Sequence, residues 1–129
     1  MTNEEKYRKA ASTATETWTA RANAEALDAQ EAWVNGNAQS ARNHATKAAE
    51  AAKLAEVAAV ISGSEKSDCL ARAAAGHAEL ATKYAEQAEA AERCEKTRKL
   101  LFDLHKAAQE TQEADETEYQ EWGDNPADR

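Results

Sequence analysis

Alanine is the feature of this sequence that most limits its fold. It occupies 33 of the 129 positions, whereas leucine, isoleucine, valine and phenylalanine together occupy only 12. Alanine is the best helix former and loses no side-chain entropy when it becomes ordered. A sheet protein would need more β-branched and aromatic residues and more turn signals. The composition therefore predicts an all-α fold of closely packed helices that is only modestly stable as a monomer.

Three glycine-containing segments mark predicted helix ends, because a glycine in the left-handed conformation commonly terminates a helix. They stand at positions 35–37, 62–64 and 123–126. Thr2 and Ser62 each precede a glutamate by three residues, which is the spacing of a capping box. Asn37 is suited to cap a helix that starts at the next residue. We therefore predict helices near 3–34, 38–61 and 65–121.

Within these helices the alanines alternate at spacings of three and four residues, as in the seams of packed helices. The clearest run lies in the second helix, at Ala38, Ala41, Ala45, Ala48, Ala52, Ala55 and Ala59. A similar run in the third helix comprises Ala71, Ala74, Ala78, Ala81, Ala85 and Ala88. Gly76 either lies inside one long helix or forms a turn like Gly36, which would create a fourth helix. The wide apolar stripes predict an antiparallel bundle of three to four long helices.

Charge is distributed unevenly along the chain. Residues 1–108 carry 15 basic and 16 acidic side chains, whereas residues 109–129 carry one basic and eight acidic side chains. We therefore predict a helical body over 1–108 and an acidic C-terminal arm over 109–129. A basic cluster precedes the arm and consists of Arg93, Lys96, Arg98, Lys99 and Lys106.

The acidic arm has several interpretations. It is a solvated helix end that keeps the protein soluble, or a segment that docks on a basic partner surface or mimics a nucleic-acid backbone. A third alternative folds the arm back on the basic cluster. Direct binding of DNA or RNA is not predicted, because it requires a basic face and the chain has no excess of basic residues.

Hydropathy argues against a membrane protein. No apolar run approaches the roughly 18 residues of a membrane-spanning helix. The N-terminal residues, Met-Thr-Asn-Glu-Glu-Lys, lack the apolar stretch of a signal peptide. These features predict a cytoplasmic protein that does not interact with membranes.

Side chains capable of catalysis or metal binding do not form a known sequence motif. Cys69 and Cys94 are predicted to be free thiols that act as small buried apolar residues. His44, His77 and His105 lack the spacings of zinc and di-iron sites. No serine stands in a glycine-rich elbow, and no glycine-rich loop is suited to bind phosphate. We therefore predict no enzymatic activity, no metal and no cofactor.

The large aromatic residues are candidate anchors in a chain of small side chains. Trp18 and Trp33 follow the stripe of the first helix and are predicted to pack in the core. Tyr119 and Trp122 stand among acids, which is typical of a docking segment, although packing on the protein's own bundle is the alternative. The candidate partner-binding residues are Glu113, Asp115, Glu116, Glu118, Tyr119, Glu121 and Trp122.

Residues 26–36, Ala-Leu-Asp-Ala-Gln-Glu-Ala-Trp-Val-Asn-Gly, resemble the A-x-x-A-x-x-A-W-x-x-G opening of an alanine-rich family of bacterial immunity proteins. The similarity continues through 41–49 and 71–78, and covers roughly 26–94. It implies an all-helical, non-enzymatic protein that neutralises a toxin by binding it. The resemblance also indicates three positions of interest, His44, Gly76 and His77. The N-terminal helix and the acidic arm are unlike that family.

These features together predict a protein that binds and blocks another protein, whose surface is expected to be basic. Its role would be that of an immunity-type toxin inhibitor or a phage-type inhibitor of a host defence system. The alternative is a structural subunit that assembles with itself through alanine seams, as an oligomer or a component of a phage particle. A third hypothesis is an acidic mimic of nucleic acid.

Overall fold

The computed structural model describes the backbone of residues 2–123 and the side chains of residues 2–112. Over this range the chain is entirely α-helical apart from two short connections and contains no strand. The helices are α1 (Asn3–Val34), α2 (Ala38–Ser62) and α3 (Glu65–Gly123). The all-α prediction is confirmed, and each predicted helix limit lies within two residues of the observed one.

The chain divides into two compact units. The first, here called the bundle unit, is Met1–Glu92, and the second, the C-terminal unit, is Arg93–Arg129. Helix α3 supplies residues to both units. The boundary predicted between residues 108 and 109 rests on charge and stays a prediction.

The helix ends of the bundle unit follow the sequence signals. The Glu5 backbone N–H donates to Thr2 Oγ1 at 3.2 Å, and the Thr2 N–H donates to Glu5 Oε2 at 3.2 Å, which completes a capping box. Asn37 Oδ1 accepts a hydrogen bond from the Ser40 N–H at 3.0 Å and caps α2. Gly36 and Gly63 adopt φ angles of +73° and +67°. This left-handed conformation explains why glycine occupies both connections.

The cap predicted at Ser62 is wrong. Ser62 is the last residue of α2, and Ser64 caps α3 by accepting a hydrogen bond from the Ser67 N–H at 3.1 Å. The Oγ of Ser67 lies 2.8 Å from that of Ser62 and 3.0 Å from that of Ser64. Because Gly63 terminates α2 in the left-handed region, the residue that caps the next helix must follow the glycine.

Alanine forms the core of the bundle unit. All 18 buried apolar residues within the described part of the chain are alanines, and the largest fully buried side chains are Thr15 and Ser67. The predicted stripes of α2 and α3 face this core, with Ala52 and Ala71 only half-buried. Methyl side chains let helices approach closely, but each of them buries little apolar area. Polar and aromatic contacts therefore supplement the packing.

Three such contacts join or brace the helices. Thr15 Oγ1 donates to the Ala11 carbonyl at 2.8 Å within α1, and Thr19 Oγ1 donates to the Leu70 carbonyl of α3 at 3.1 Å. The rings of Trp33 and Tyr84 stack with centroids 5.4 Å apart and planes inclined by 26°. Trp33 is 37% exposed, so this predicted core residue lies at the edge of the core. Trp18 is half-buried.

Helix α3 continues through Gly76, so the described chain contains three helices rather than four. The alternative of a turn at Gly76 is not found. Glycine is not required there by crowding, because a Cβ at this position would meet nothing within 4 Å.

Both cysteines are exposed free thiols, so the prediction that they are buried is wrong. Cys69 precedes the α3 alanines Ala71 and Ala74 by two and five residues, spacings that direct it away from their face of the helix. Cys94 belongs to the C-terminal unit, in which no described side chain is buried.

The described part of the C-terminal unit is a helical segment with a fully exposed surface. Its large apolar side chains are 58–66% exposed and comprise Leu100, Leu101, Phe102 and Leu104. The sequence places an apolar stripe at Ala91, Cys94, Leu101, Leu104 and Ala108, interrupted by Arg98, and none of these side chains is buried. Along the described residues, no helix has the length and apolar character needed to cross a bilayer.

Candidate functional site

An open apolar groove lies between the beginning of α1 and the end of α2. Its volume is about 600 Å³, and it is lined by Tyr7, Ala10, Ala11, Ala14, Leu54, Val57, Ala58 and Ile61. Ala11 and Ala58 are buried, whereas the four large side chains of the lining are 43–69% exposed. The groove therefore combines an alanine floor with large apolar side chains in contact with water.

The helical spacing of the lining residues explains how the groove forms. Tyr7, Ala11 and Ala14 follow one face of α1 at intervals of four and three residues. Leu54 and Ile61 belong to a stripe that runs beside the main alanine seam of α2. The fold buries the alanine seam and leaves these larger side chains exposed. Monomeric proteins seldom expose large contiguous apolar patches, which commonly mark interaction sites.

A second cluster joins α1 to α2 through a histidine and two carboxylates. Glu25 and Asp28 lie on one face of α1, and His44 approaches them from α2. His44 Nδ1 lies 2.6 Å from Glu25 Oε2 and 3.9 Å from Asp28 Oδ2. Arg21 Nε lies 3.6 Å from Glu25 Oε1, the other oxygen of that carboxylate. Glu25 is only 7% exposed, so this polar group is held inside the bundle by its partners.

Solvent reaches the cluster through a cavity of about 370 Å³. The cavity is lined by Asp28, Glu31, Ala32, Asn35, Asn37, Ser40 and His44. The Asp28 and His44 side chains thus line this cavity, and His44 also contacts Glu25. This access distinguishes the cluster from a sealed structural ion pair.

Arg42 and Glu89 connect α2 to α3 in a two-point interaction. Arg42 Nη2 donates to Glu89 Oε1 at 2.5 Å, and Arg42 Nε donates to Glu89 Oε2 at 3.2 Å. The hydrogen bonds that Arg42 donates to Glu89 raise the pKa of Arg42 above its ordinary value, and burial opposes the shift. The guanidinium is therefore charged whenever the protein is folded, and we assign the pair a structural role.

The structure places the predicted site residues in three settings. His44 belongs to the histidine–carboxylate cluster. Gly76 is exposed and His77 is half-buried, both within α3. The side chains of the seven partner-binding candidates, Glu113, Asp115, Glu116, Glu118, Tyr119, Glu121 and Trp122, lie outside the described residues, so that assignment stays a prediction. Since α3 continues to Gly123, the residues from 109 to 123 do not turn back on the basic cluster.

The histidine–carboxylate cluster is not apparent from sequence motifs because its members come from different helices. Motif spacing compares residues close in sequence, whereas His44 follows Asp28 by 16 residues and a turn. The available signal was the pair of carboxylates three residues apart on α1, a spacing that places Glu25 and Asp28 on one helix face. Among the described residues, this is the one group of three or more potential metal ligands that converges.

Comparison of the chain with protein families, with characterised proteins and with solved structures finds no match. The resemblance of residues 26–94 to bacterial immunity proteins therefore stays a prediction.

Proposed function

We propose that this protein acts without catalysis, by binding another protein and covering part of its surface. The observation that carries the proposal is the open apolar groove between α1 and α2. The core of the bundle unit consists of buried alanines, whereas Tyr7, Val57 and Ile61 are more than half exposed. The hydrophobic effect alone would favour the reverse arrangement. A partner surface that covers these side chains accounts for their position.

The groove combines exposed aliphatic side chains with one aromatic residue. Full burial of a large apolar side chain lowers the free energy by about 1.5–3 kcal/mol relative to leaving the side chain exposed to water. Tyr7 adds an aromatic anchor with a hydroxyl group, and tyrosine is enriched among the residues that dominate binding energy. Because the groove is set between two helices of a packed bundle, little ordering is required when a partner binds.

In its finer form the proposal is a small antagonist, either an immunity-type inhibitor of a toxin or a phage-type inhibitor of a host defence system. An inhibitor that works by occlusion needs a folded domain with a surface that binds its target. It needs no reactive group. The acidic residues of 109–129 support this form because they would attract a partner with a basic surface and accelerate association.

In-cell photo-crosslinking tests the proposal. A photoreactive phenylalanine analogue replaces Tyr7, and cells of the source organism that produce the protein are irradiated. We expect a covalent adduct with another protein, and we expect I61S to abolish it. The matched control places the same analogue at Lys9, which is exposed on the opposite face of α1. Equal adducts at both positions, or no adduct at Tyr7, would contradict the proposal.

Self-assembly is a second candidate function, favoured by the exposed apolar stripe of the C-terminal unit. Leu101, Leu104 and Ala108 follow one another at the spacing of a helix–helix seam, and Arg98 interrupts the stripe before them. Helices in proteins gain most of their stability from packing of an apolar face, and a second copy would bury the exposed leucines of this stripe.

Light scattering over a range of concentrations tests self-assembly. We expect L101K to return an oligomer to the monomer mass. F102K is the matched control, because Phe102 is equally exposed but lies off the stripe. A wild-type mass that remains monomeric at every concentration would exclude this alternative.

A further inference from the structure

We propose that Glu25, Asp28 and His44 form a binding site for a divalent transition-metal cation, for which Zn²⁺ is the appropriate probe. One potential ligand atom from each residue lies within 4.8 Å of the other two. Ligand atoms around a tetrahedral zinc ion at roughly 2.1 Å are separated by about 3.4 Å. The observed separations of His44 Nδ1 from the two carboxylates, 2.6 and 3.9 Å, lie on either side of that value. Small rotations of the side chains would therefore suffice for coordination.

The donor set selects the class of cation. One imidazole nitrogen with two carboxylates suits zinc and its neighbours, whereas magnesium and calcium favour oxygen ligands alone. Three protein ligands leave a fourth position for water, as in open zinc sites. The cavity beside Asp28 and His44 provides room for that water.

Charge around the cluster also favours a cation. The two carboxylates and the guanidinium of Arg21 together carry a net charge of −1 when the imidazole is neutral. Arg21 approaches Glu25 Oε1 and leaves Oε2 directed at His44. Outer contacts of this kind orient a metal ligand. The positive charge of Arg21 weakens the attraction, so we expect a lower affinity than that of an unopposed pair of carboxylates.

Without the metal, a hydrogen bond joins His44 Nδ1 to Glu25 Oε2 across 2.6 Å. The cation would take the place of the proton in this contact, because a coordinating imidazole nitrogen must be unprotonated. The imidazole can keep that proton by moving it to Nε2, so coordination through Nδ1 requires only a change of tautomer. The same three side chains would connect α1 to α2 in both states, first through the proton and then through the metal.

Calorimetric titration of the intact protein with Zn²⁺ tests the site. The parent protein carries C69S and C94S, because exposed thiols themselves bind zinc. We expect one ion per chain, an affinity reduced at least about tenfold by H44Q and by D28N, and no binding of Mg²⁺. H44Q is chosen because the new side chain keeps an N–H group that can donate to Glu25. Circular dichroism checks that each variant folds.

Matched controls test whether the ion occupies this cluster. E31Q removes a carboxylate from the same cavity, and H105Q removes an exposed histidine from the C-terminal unit. Both should leave the affinity unchanged. The visible absorption of bound Co²⁺ should appear in the parent protein and disappear in H44Q. Absence of Zn²⁺ binding by the parent protein, or equal affinity in the parent and in H44Q, would overturn the proposal.

Discussion

The bundle unit and the C-terminal unit use the same secondary structure but treat apolar side chains in opposite ways. In the bundle unit, alanines at alternating spacings of three and four are buried, and larger side chains such as Val57 and Ile61 are exposed. In the described part of the C-terminal unit, every side chain is exposed, including Leu101 and Phe102. Burial in this protein therefore follows the spacing of small residues rather than the hydrophobicity of individual ones.

The reason is geometric. Methyl groups repeated along one helix face allow backbones to approach closely, and a larger side chain in that seam would push the helices apart. The described C-terminal segment has leucines on its stripe, but no other helix of its unit covers them. The larger apolar residues of both units therefore remain available for contacts outside the chain, which is the basis of the proposed binding function.

Amide hydrogen exchange should show the largest difference between the two units. We expect amides of residues 78–88 to exchange roughly a thousandfold or more slowly than those of 96–108, because buried helices open only through large unfolding events. Mass spectrometry of peptides after exchange at several concentrations measures both. Equal protection at low concentration would contradict the comparison, whereas protection of 96–108 that grows with concentration would indicate self-assembly.

The same substitution in the two units should have different effects on stability. A81L enlarges a fully buried alanine, and we expect it to lower the free energy of unfolding by about 1–3 kcal/mol through overpacking. A108L enlarges an exposed alanine and should change that free energy by less than about 0.5 kcal/mol. Urea denaturation followed by circular dichroism measures both variants. A tolerated A81L would mean that the alanine seam is looser than described.

Polar contacts should make a smaller but measurable contribution to the bundle unit. S64A removes the cap of α3, and we expect a loss of about 1 kcal/mol in the free energy of unfolding. S12A, within α1, is the matched control and should have little effect. A loss from S62A but not from S64A would instead support the capping role predicted from the sequence.

The ion pair between Arg42 and Glu89 should have the smallest effect, since both side chains are about one-third exposed. We expect a coupling free energy of about 0.2–1 kcal/mol in a double-mutant cycle of R42M and E89Q. The pKa of Arg42 is raised in the folded state, so the stabilising contribution of the guanidinium is fully present below the ordinary arginine pKa. It is lost only as the pH rises through the raised value. Thermal unfolding measures this coupling in the wild type, R42M, E89Q and the double variant. The coupling free energy should therefore be about the same at pH 7 and at pH 9, within the error of the measurement.

The helices were predictable because their signals are local. Alternating alanines, the cap at Asn37 and the glycines at 36 and 63 each depend on residues that are close in sequence. The sequence does not decide between a turn and a helix at Gly76, because glycine is compatible with both and the outcome depends on packing. The capping-box spacing favours Ser62 over Ser64, although two serines flank the glycine and spacing alone does not show which of them caps α3.

The candidate sites were less predictable, because they depend on contacts between residues that are far apart in sequence. The groove requires knowing which faces of α1 and α2 are left uncovered, and the stripe containing Leu54 was equally compatible with burial. The cluster of Glu25, Asp28 and His44 depends on the register between two helices, which sequence spacing does not report. The residues of the acidic arm were identified by composition, and their role stays a prediction.

The alanine core has a consequence for the temperature dependence of folding. The heat-capacity change on unfolding arises mainly from newly hydrated apolar surface, and a core of methyl groups hides little of it. We infer a shallow stability curve, in which warming or cooling by a few tens of degrees alters the folded fraction less than in a leucine-rich bundle of equal size. A partner that covers the groove would steepen this curve, because the complex would then hide the large side chains that the free protein leaves hydrated.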